Sequence, residues 1–288
     1  MFLRRYILDK GIIAYEVRKR FMSAWLYRIG HTLIDSGPPA VAKKLVPFIL
    51  QDGEVDDIFI SHHHEDHSGG VRTLQKALGV QVHVSQYAVP LTRSGFRAYP
   101  YQRFIWGKFE PFEEDSVLDV PALGYLPWST ADGDFIVLHA PGHSHDMTVL
   151  YDPARRAIFS ADLYLSSKQR LMRRDEVFEV TLESLKRVLR LDIDMLLCGH
   201  RPVFHEGKAR LEQKLIHMQK LKSALNQENP DSQSLKKLIG PEDWVFKLAS
   251  FGNVSRDNLI ASAKGDLKAR PDIIEKVGLD WALCRFES

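Results

Sequence analysis

The stretch Asp57-Ile58-Phe59-Ile60-Ser61-His62-His63-His64-Glu65-Asp66-His67-Ser68-Gly69-Gly70 decides how the chain is read. It begins as a short apolar strand and runs straight into four histidines and two acids. In an extended segment, residues two apart share a side, so His62 and His64 address one target while His63 faces away. A tight turn then brings Asp66 and His67 round to the same cavity. Imidazoles and a carboxylate packed together repel when protonated and desolvate poorly when neutral. A bound cation removes both difficulties. The bland alternative is a solvated, histidine-rich turn.

Outward from this stretch, residues 69–78 read as a helix closed by Gly79, and 80–84 as another strand. Strand, loop, helix and strand in that order imply a layered α/β arrangement. Upstream, 12–17, 24–29 and 32–34 are strand-like and lead to the turn Asp35-Ser36-Gly37-Pro38-Pro39. Residues 40–50 have helical apolar spacing, which Pro47 is expected to kink or end. Residues 85–131 interleave Tyr87, Phe96, Tyr99, Tyr101, Phe104, Trp106, Phe109, Phe112, Tyr125 and Trp128 with Pro and Gly. Such an insert is either a satellite core or a cover over a binding site. Strands resume at 135–139, 147–151, 157–159 and 195–198, with a helix expected over 181–191.

From Glu206 onward the chain reads as wholly helical, with Leu211, Leu215, Met218, Leu221 and Leu225 recurring every three or four residues. Asn229-Pro230-Asp231-Ser232 should break that helix, and shorter helices are expected near 241–250, 255–264 and 271–277. The expected organisation is an α/β body over 1–205, with the insert at 85–131, and a helical region over 206–288.

Three further apolar runs each end in a polar residue able to bind metal. Residues 135–140 lead to Pro141-Gly142-His143, 157–161 to Asp162, and 195–198 to Gly199-His200. Strand ends are where α/β proteins assemble sites, because neighbouring strands open onto one crevice.

With these residues in view, the sequence resembles the metallo-β-lactamase superfamily over roughly residues 12–205. The family's His-x-His-x-Asp-His signature and paired glycines stand as His62 to Gly70, its Pro-Gly-His as Pro141-Gly142-His143, its bridging acid as Asp162, and its last histidine as His200. Leu33-Ile34-Asp35-Ser36-Gly37 is similar to its N-terminal turn. The resemblance implies a four-layer αββα sandwich with a C-terminal helical extension. It also implies two divalent ions, zinc first, with iron or manganese tolerated by the same N/O ligands. His62, His64 and His143 would hold one ion, and Asp66, His67 and His200 the second. Asp162 and a hydroxide would bridge them. The implied reaction is hydrolysis: the bridging hydroxide attacks a carbonyl carbon or phosphorus, and Asp66 orients it and handles its proton.

Composition narrows the rest. Hydrophobic residues make up 44% and charged residues 26%, ordinary globular values that exclude disordered and coiled-coil classes. With 39 basic and 37 acidic residues, the net charge of +2 offers no strong field for polyanions. Cys198 and Cys284 cannot make a disulfide framework, and the first residues lack an apolar run suited to a signal peptide or membrane span. A cytoplasmic protein with no membrane partner is therefore expected.

A small ester, thioester or lactone ranks first as substrate. Hydroxyacylglutathione hydrolases share the ligand set, but their glycine- and arginine-containing signature is not found after Asp162. His143-Ser144-His145-Asp146-Met147 also resembles the β-lactamase-like endoribonucleases. Arg93, Arg97, Arg103 and Lys108, or Lys168, Arg170, Arg173 and Arg174, would then have to track phosphates. A metal-containing regulatory or binding protein with little turnover is the third alternative.

Tyr164, two residues past Asp162, is a candidate oxyanion donor, or else an ordinary tyrosine of the cavity wall. His63 reads as a solvated turn residue and Cys198 as a buried small hydrophobe. The helical region reads as a packing or dimerisation surface, which leaves a homodimer open.

Overall fold

Alternating apolar side chains along the first strands set the layering. The computed structural model describes residues 2–19, 22–201, 205–227, 232–241 and 244–265. These fall into two units by their contacts: residues 1–139, 146–165 and 192–208 form the first, and residues 140–145, 166–191 and 209 onward the second.

The first unit contains a seven-stranded sheet in the order β1 (Phe2–Ile7), β2 (Ile12–Lys19), β3 (Met22–Ile29), β4 (Thr32–Ile34), β5 (Asp57–Ile60), β6 (Gln81–Ser85) and β7 (Ser116–Leu118). Strands β1 to β4 pair antiparallel, and β4 to β7 parallel. Within it run α1 (Ala42–Ile49), α2 (Glu65–Ser68), α3 (Val71–Leu78), α4 (Val89–Ser94) and α5 (Pro100–Trp106). A second sheet follows from β8 (Leu126–Thr130), β9 (Gly133–His139), β10 (Thr148–Asp152) and β11 (Ala157–Ala161), all antiparallel. After β12 (Met172–Arg173) in the second unit, β13 (Met195–Cys198) returns to pair parallel with β11.

Each central strand of the first sheet serves two cores. Along β2, Ile12 and Ala14 enter one, and Tyr15 and Val17 the other. Phe59 of β5 faces the first core, and Ile58 and Ile60 the second. The first core is closed by Phe135, Val137, Leu150, Phe159 and Leu197 of the second sheet, so the two sheets lie face to face. The second core is closed by Leu45 and Ile49 of α1 and by Val71 and Leu74 of α3. Sheet on sheet, with helices outside the first, is what strands buried on both faces require.

Three expectations are corrected. Helix α1 does not end at Pro47 but continues to Ile49, because the carbonyl that loses its partner belongs to exposed Lys43 while Leu45 and Ile49 stay buried. The insert's aromatics do not form one satellite. Phe109 and Phe112 join the helix-side core, Trp128 the inter-sheet core, and only Trp106 with Ile105 makes a small cluster beside Ala24. The expected helix at 181–191 is α6 (Phe178–Val188), which starts early because Phe178 is buried, its N–H given to Ser262 Oγ at 3.0 Å.

Then come α7 (Gly207–Leu225), which enters the second unit at Ala209, and α8 (Ser232–Ile239), α9 (Trp244–Ala249) and α10 (Arg256–Ala263) within it. The region after Glu206 is not wholly helical, since β14 (Val254–Ser255) pairs antiparallel with β12. The two strands are too short to leave a period-two signature. The expected helix at 271–277 and the break at 229–231 lie outside the described residues. No helix among the described residues is long and apolar enough to cross a membrane.

Candidate metal centre

The cluster forms where β4, β5, β11 and β13 end. Parallel β4 and β5 deliver Asp35 and the histidine-rich segment side by side. Asp35 adopts a left-handed backbone (φ 62°), unusual outside glycine, while its N–H bonds Phe59 O at 2.8 Å. This turns its carboxylate inward. There it accepts from Ser61 N–H at 2.8 Å and Ser61 Oγ at 3.0 Å, and takes His67 Nδ1 at 2.7 Å. With its Nδ1–H given to Asp35, His67 turns Nε2 toward the cluster. That atom lies 3.4 Å from Asp162 Oδ1.

Asp162 is positioned by an irregularity at the end of β11. The pairing with β13 shifts between Phe159 and Ala161, and Ala161 is left-handed (φ 43°). On the neighbouring strand, Gly199 carries no side chain for a steric reason. A Cβ there would come within 2.5 Å of the His67 ring and 2.6 Å of Asp162 Oδ1. His200, next along, gives Nδ1–H to Ser23 O at 2.6 Å and turns Nε2 to Asp66 Oδ2 and Asp162 Oδ2, both at 3.2 Å. The ring of Trp106, from the insert, stacks over His200 at 6.4 Å.

At the other side of His67, His62 and His64 do share a face, with Nε2 and Nδ1 2.9 Å apart. His62 Nδ1 meets Ser61 Oγ at 3.0 Å. His143 belongs to the second unit, where its Nδ1 bonds Glu176 Oε1 at 2.7 Å. Nearby, Val177 N–H donates to Gly142 O at 2.8 Å and Ser184 Oγ to Pro141 O at 2.7 Å, which fixes the Pro-Gly-His turn. Tyr164 is buried just beyond β11.

These donors fit divalent ions. A tetrahedral ion bonded at about 2.0–2.1 Å holds neighbouring ligand atoms roughly 3.3 Å apart. The separations above run from 2.9 to 3.4 Å. Ligand atoms of Asp66, His67 and His200 all lie within 4.8 Å of one another, as do those of His62, His67 and Asp162. Electrostatics agree. Burial alone would push both imidazoles down, yet Asp35, Asp162 and Asp66 hold His67 well above its ordinary value. His200, against the same burial, is raised to about 9, chiefly by Asp162. The cluster draws positive charge.

Asp35, Glu176 and Ser23 were not assigned by the sequence reading, although Asp35 lay within the noted turn. Asp35 and Glu176 are carboxylates within reach of a ligand histidine's second nitrogen, but lie 32 and 33 residues from their partners in the chain. The histidine spacing alone could not find them. His63 is corrected: it is mostly buried, with its ring against Asp146 rather than in solvent. Burial pushes the Cys198 thiol up to about 12, consistent with a small core residue.

The sequence profile of the metallo-beta-lactamase superfamily matches residues 23–200. The chain belongs to that superfamily. An uncharacterized protein of Aquifex aeolicus (strain VF5) is 31% identical over 179 residues, 57% of this chain and 75% of the relative. A beta-lactamase-like protein 2 homolog of Drosophila melanogaster is 24% identical over 189 residues, 64% of this chain and 59% of the relative. Among solved structures, a metallo-beta-lactamase from Pontibacter korlensis superposes with a TM-score of 0.60 at 16% identity, over 78% of this chain and all of that one. The DIM-1 metallo-beta-lactamase does so at 0.59 and 16%, over 76% and 97%. These likenesses show the fold expected from the sequence, the metallo-β-lactamase type with helices toward the C-terminus. Superfamily membership supports metal-dependent hydrolysis in general.

Proposed function

We propose that the chain is a dinuclear metallo-hydrolase that cleaves a small ester, thioester or lactone. The observation that carries this reading is the meeting of Asp66, His67, Asp162 and His200 at adjoining strand ends, with the donor atoms spaced as ligands. His62 and His64 supply two ligands of the other site, and the Pro-Gly-His pattern nominates His143 as the third. A divalent pair, zinc first, would supply an acidified water and a Lewis acid for the developing oxyanion.

The chain's own groups do the rest. Asp35 and Ser23 hold His67 and His200 with Nε2 forward. Asp66 accepts and returns the proton of the attacking water. Tyr164 donates its hydroxyl to the carbonyl oxygen as charge develops there. Trp106 covers the His200 ring on one face. The near-neutral chain favours a small substrate over a polyanion.

A second reading, phosphodiester cleavage, has one observation in its favour. Besides burial, Lys168, Arg170 and Lys214 together hold His217 below its ordinary value in the second unit, marking a local cationic field.

A panel of thioester, lactone, ester, phosphodiester and β-lactam reporters on zinc-loaded protein tests the assignment. Turnover of an acyl reporter is expected, falling at least about 100-fold in Asp66→Ala and about 10-fold in Tyr164→Phe. Phosphodiester turnover alone would select the second reading. Silence from fully metallated protein would contradict both. An Asp66→Ala variant with intact metal content and intact turnover would refute the role given to Asp66.

A further inference from the structure

His63 stands between two proposed ligands and is not one of them. Its ring lies edge-on to the His64 ring, with centroids 4.5 Å apart. It also meets Asp146, whose side chain is fully buried. One carboxylate oxygen of Asp146 accepts the His63 main-chain N–H at 2.7 Å, and the other lies 2.8 Å from the ring Nδ1. A single acid thus holds both the backbone and the ring of one residue. At the peptide units that follow, Ser68 Oγ donates to His63 O at 2.6 Å and to His64 O at 3.1 Å. The ring edge packs on Phe96 of the insert, with centroids 4.7 Å apart.

The consequence is geometric. His62 and His64 hang from one short extended segment, and rotation of that segment about its axis would swing both imidazoles together. Asp35 holds Ser61 N–H, Thr148 N–H donates to Ser61 O at 2.8 Å, and Asp146 holds His63. The first two contacts pin the segment before the ligands. The third, with Ser68, grips it between them, and Asp146 holds the ring of His63 as well.

We propose that Asp146 and His63 form a positioning pair that sets the separation and direction of His62 Nε2 and His64 Nδ1 for a metal ion. The assignment rests on the metal-centre reading above. Neither residue touches the ion or the reacting atoms. Asp146 acts through His63, as carboxylates behind ligand histidines do, but here through the residue that links two ligands rather than through a ligand itself.

The test uses the full chain with zinc as the probe, affinity being read by competition with a chelator. The variants are His63→Phe, which keeps the ring packing and loses the ring N–H, and His63→Asn, which keeps a donor near the Nδ1 position. Asp146→Ala removes the acceptor for both bonds. Zinc affinity should fall about 10- to 100-fold in His63→Phe and Asp146→Ala, and stay within about threefold of the parent in His63→Asn. The ligand-field spectrum of cobalt-loaded protein should change in the first two and be restored in the third, a signature that general loss of stability would not produce. If Asp146→Ala does not fold, His63→Phe carries the comparison. Equal zinc affinity and an unchanged cobalt spectrum in His63→Phe would overturn the positioning role while leaving the metal centre standing. A parent that takes up no zinc would instead bring down the metal-centre reading itself, and this pair with it.

Discussion

Two buried polar regions of the first unit are built to opposite ends. Arg28, on β3, is almost wholly buried, and its guanidinium donates to the main-chain carbonyls of Gly30, Ile49, Gly53 and Glu54. One cation meets a ring of neutral acceptors, and the stretch after α1 is thereby tied to the sheet. The cluster at the strand ends instead crowds Asp35, Asp66 and Asp162 against His67 and His200, and the acids push the imidazoles toward their charged forms. The first region closes its hydrogen bonds within the chain. The second concentrates negative charge that only added positive charge, as protons or metal, can balance. Structural and functional burial of polar groups differ in this, and the difference can be broken experimentally.

The largest effect is expected from Asp162→Ala, because that carboxylate approaches both His67 and His200. Metal content per chain should fall, and hydrolysis of any active reporter should drop more than about 100-fold, with thermal stability little changed. Elemental analysis, rate and melting temperature together check it. The converse is Arg28→Met, which leaves buried carbonyls without donors. It should cost about 3 kcal/mol or more in denaturant unfolding, with metal per folded chain unchanged. If Arg28→Met lost metal and Asp162→Ala lost stability, the contrast between the two regions would be wrong.

Next in size is Asp35→Asn, which sits between the two categories. Its side chain holds both Ser61 and His67. Zinc affinity should fall about 10- to 100-fold, with a smaller loss of stability, measured by chelator competition and urea unfolding.

The smallest effect concerns a pair, a partly exposed Arg5 on a buried Asp52 carboxylate, that resembles the Arg28 region in purpose. Burial pushes the Asp52 carboxyl up, but bonds from Arg5 and from Tyr15 (2.8 Å) outweigh it and hold it below its ordinary value of 3.8. A lowered folded-state pKa stabilises the fold above the unfolded value and ceases to do so as pH falls through the folded one. Asp52→Asn should therefore lower stability slightly near neutrality and flatten the profile below about pH 4, where parent and variant converge, as read by urea unfolding across that range.

How much of this was legible in the sequence follows from distance along the chain. The strand-like runs of β2, β3 and β5 announced themselves, because their centres, buried on both faces, are rich in β-branched and aromatic residues. His62, His64, Asp66 and His67 were legible because they are local, and His143, Asp162 and His200 because each follows an apolar run. Asp35 behind His67, Glu176 behind His143 and Asp146 behind His63 were not assigned. A lone acid has no spacing until the fold supplies its partner. His63 misled because nothing local revealed the buried Asp146 and the Phe96 ring that take it out of solvent. The short strands β12 and β14 were missed for a related reason: they exist only as a pair, and neither has enough residues to show a period.

The account stands on the capacity of the strand-end cluster for metal, and direct titration of metal-free protein with zinc measures it. Calorimetry should record two ions bound per chain, with protons released as the imidazoles of His67 and His200 give up theirs. Zinc that binds at neither site, with no heat and no proton release, would contradict it.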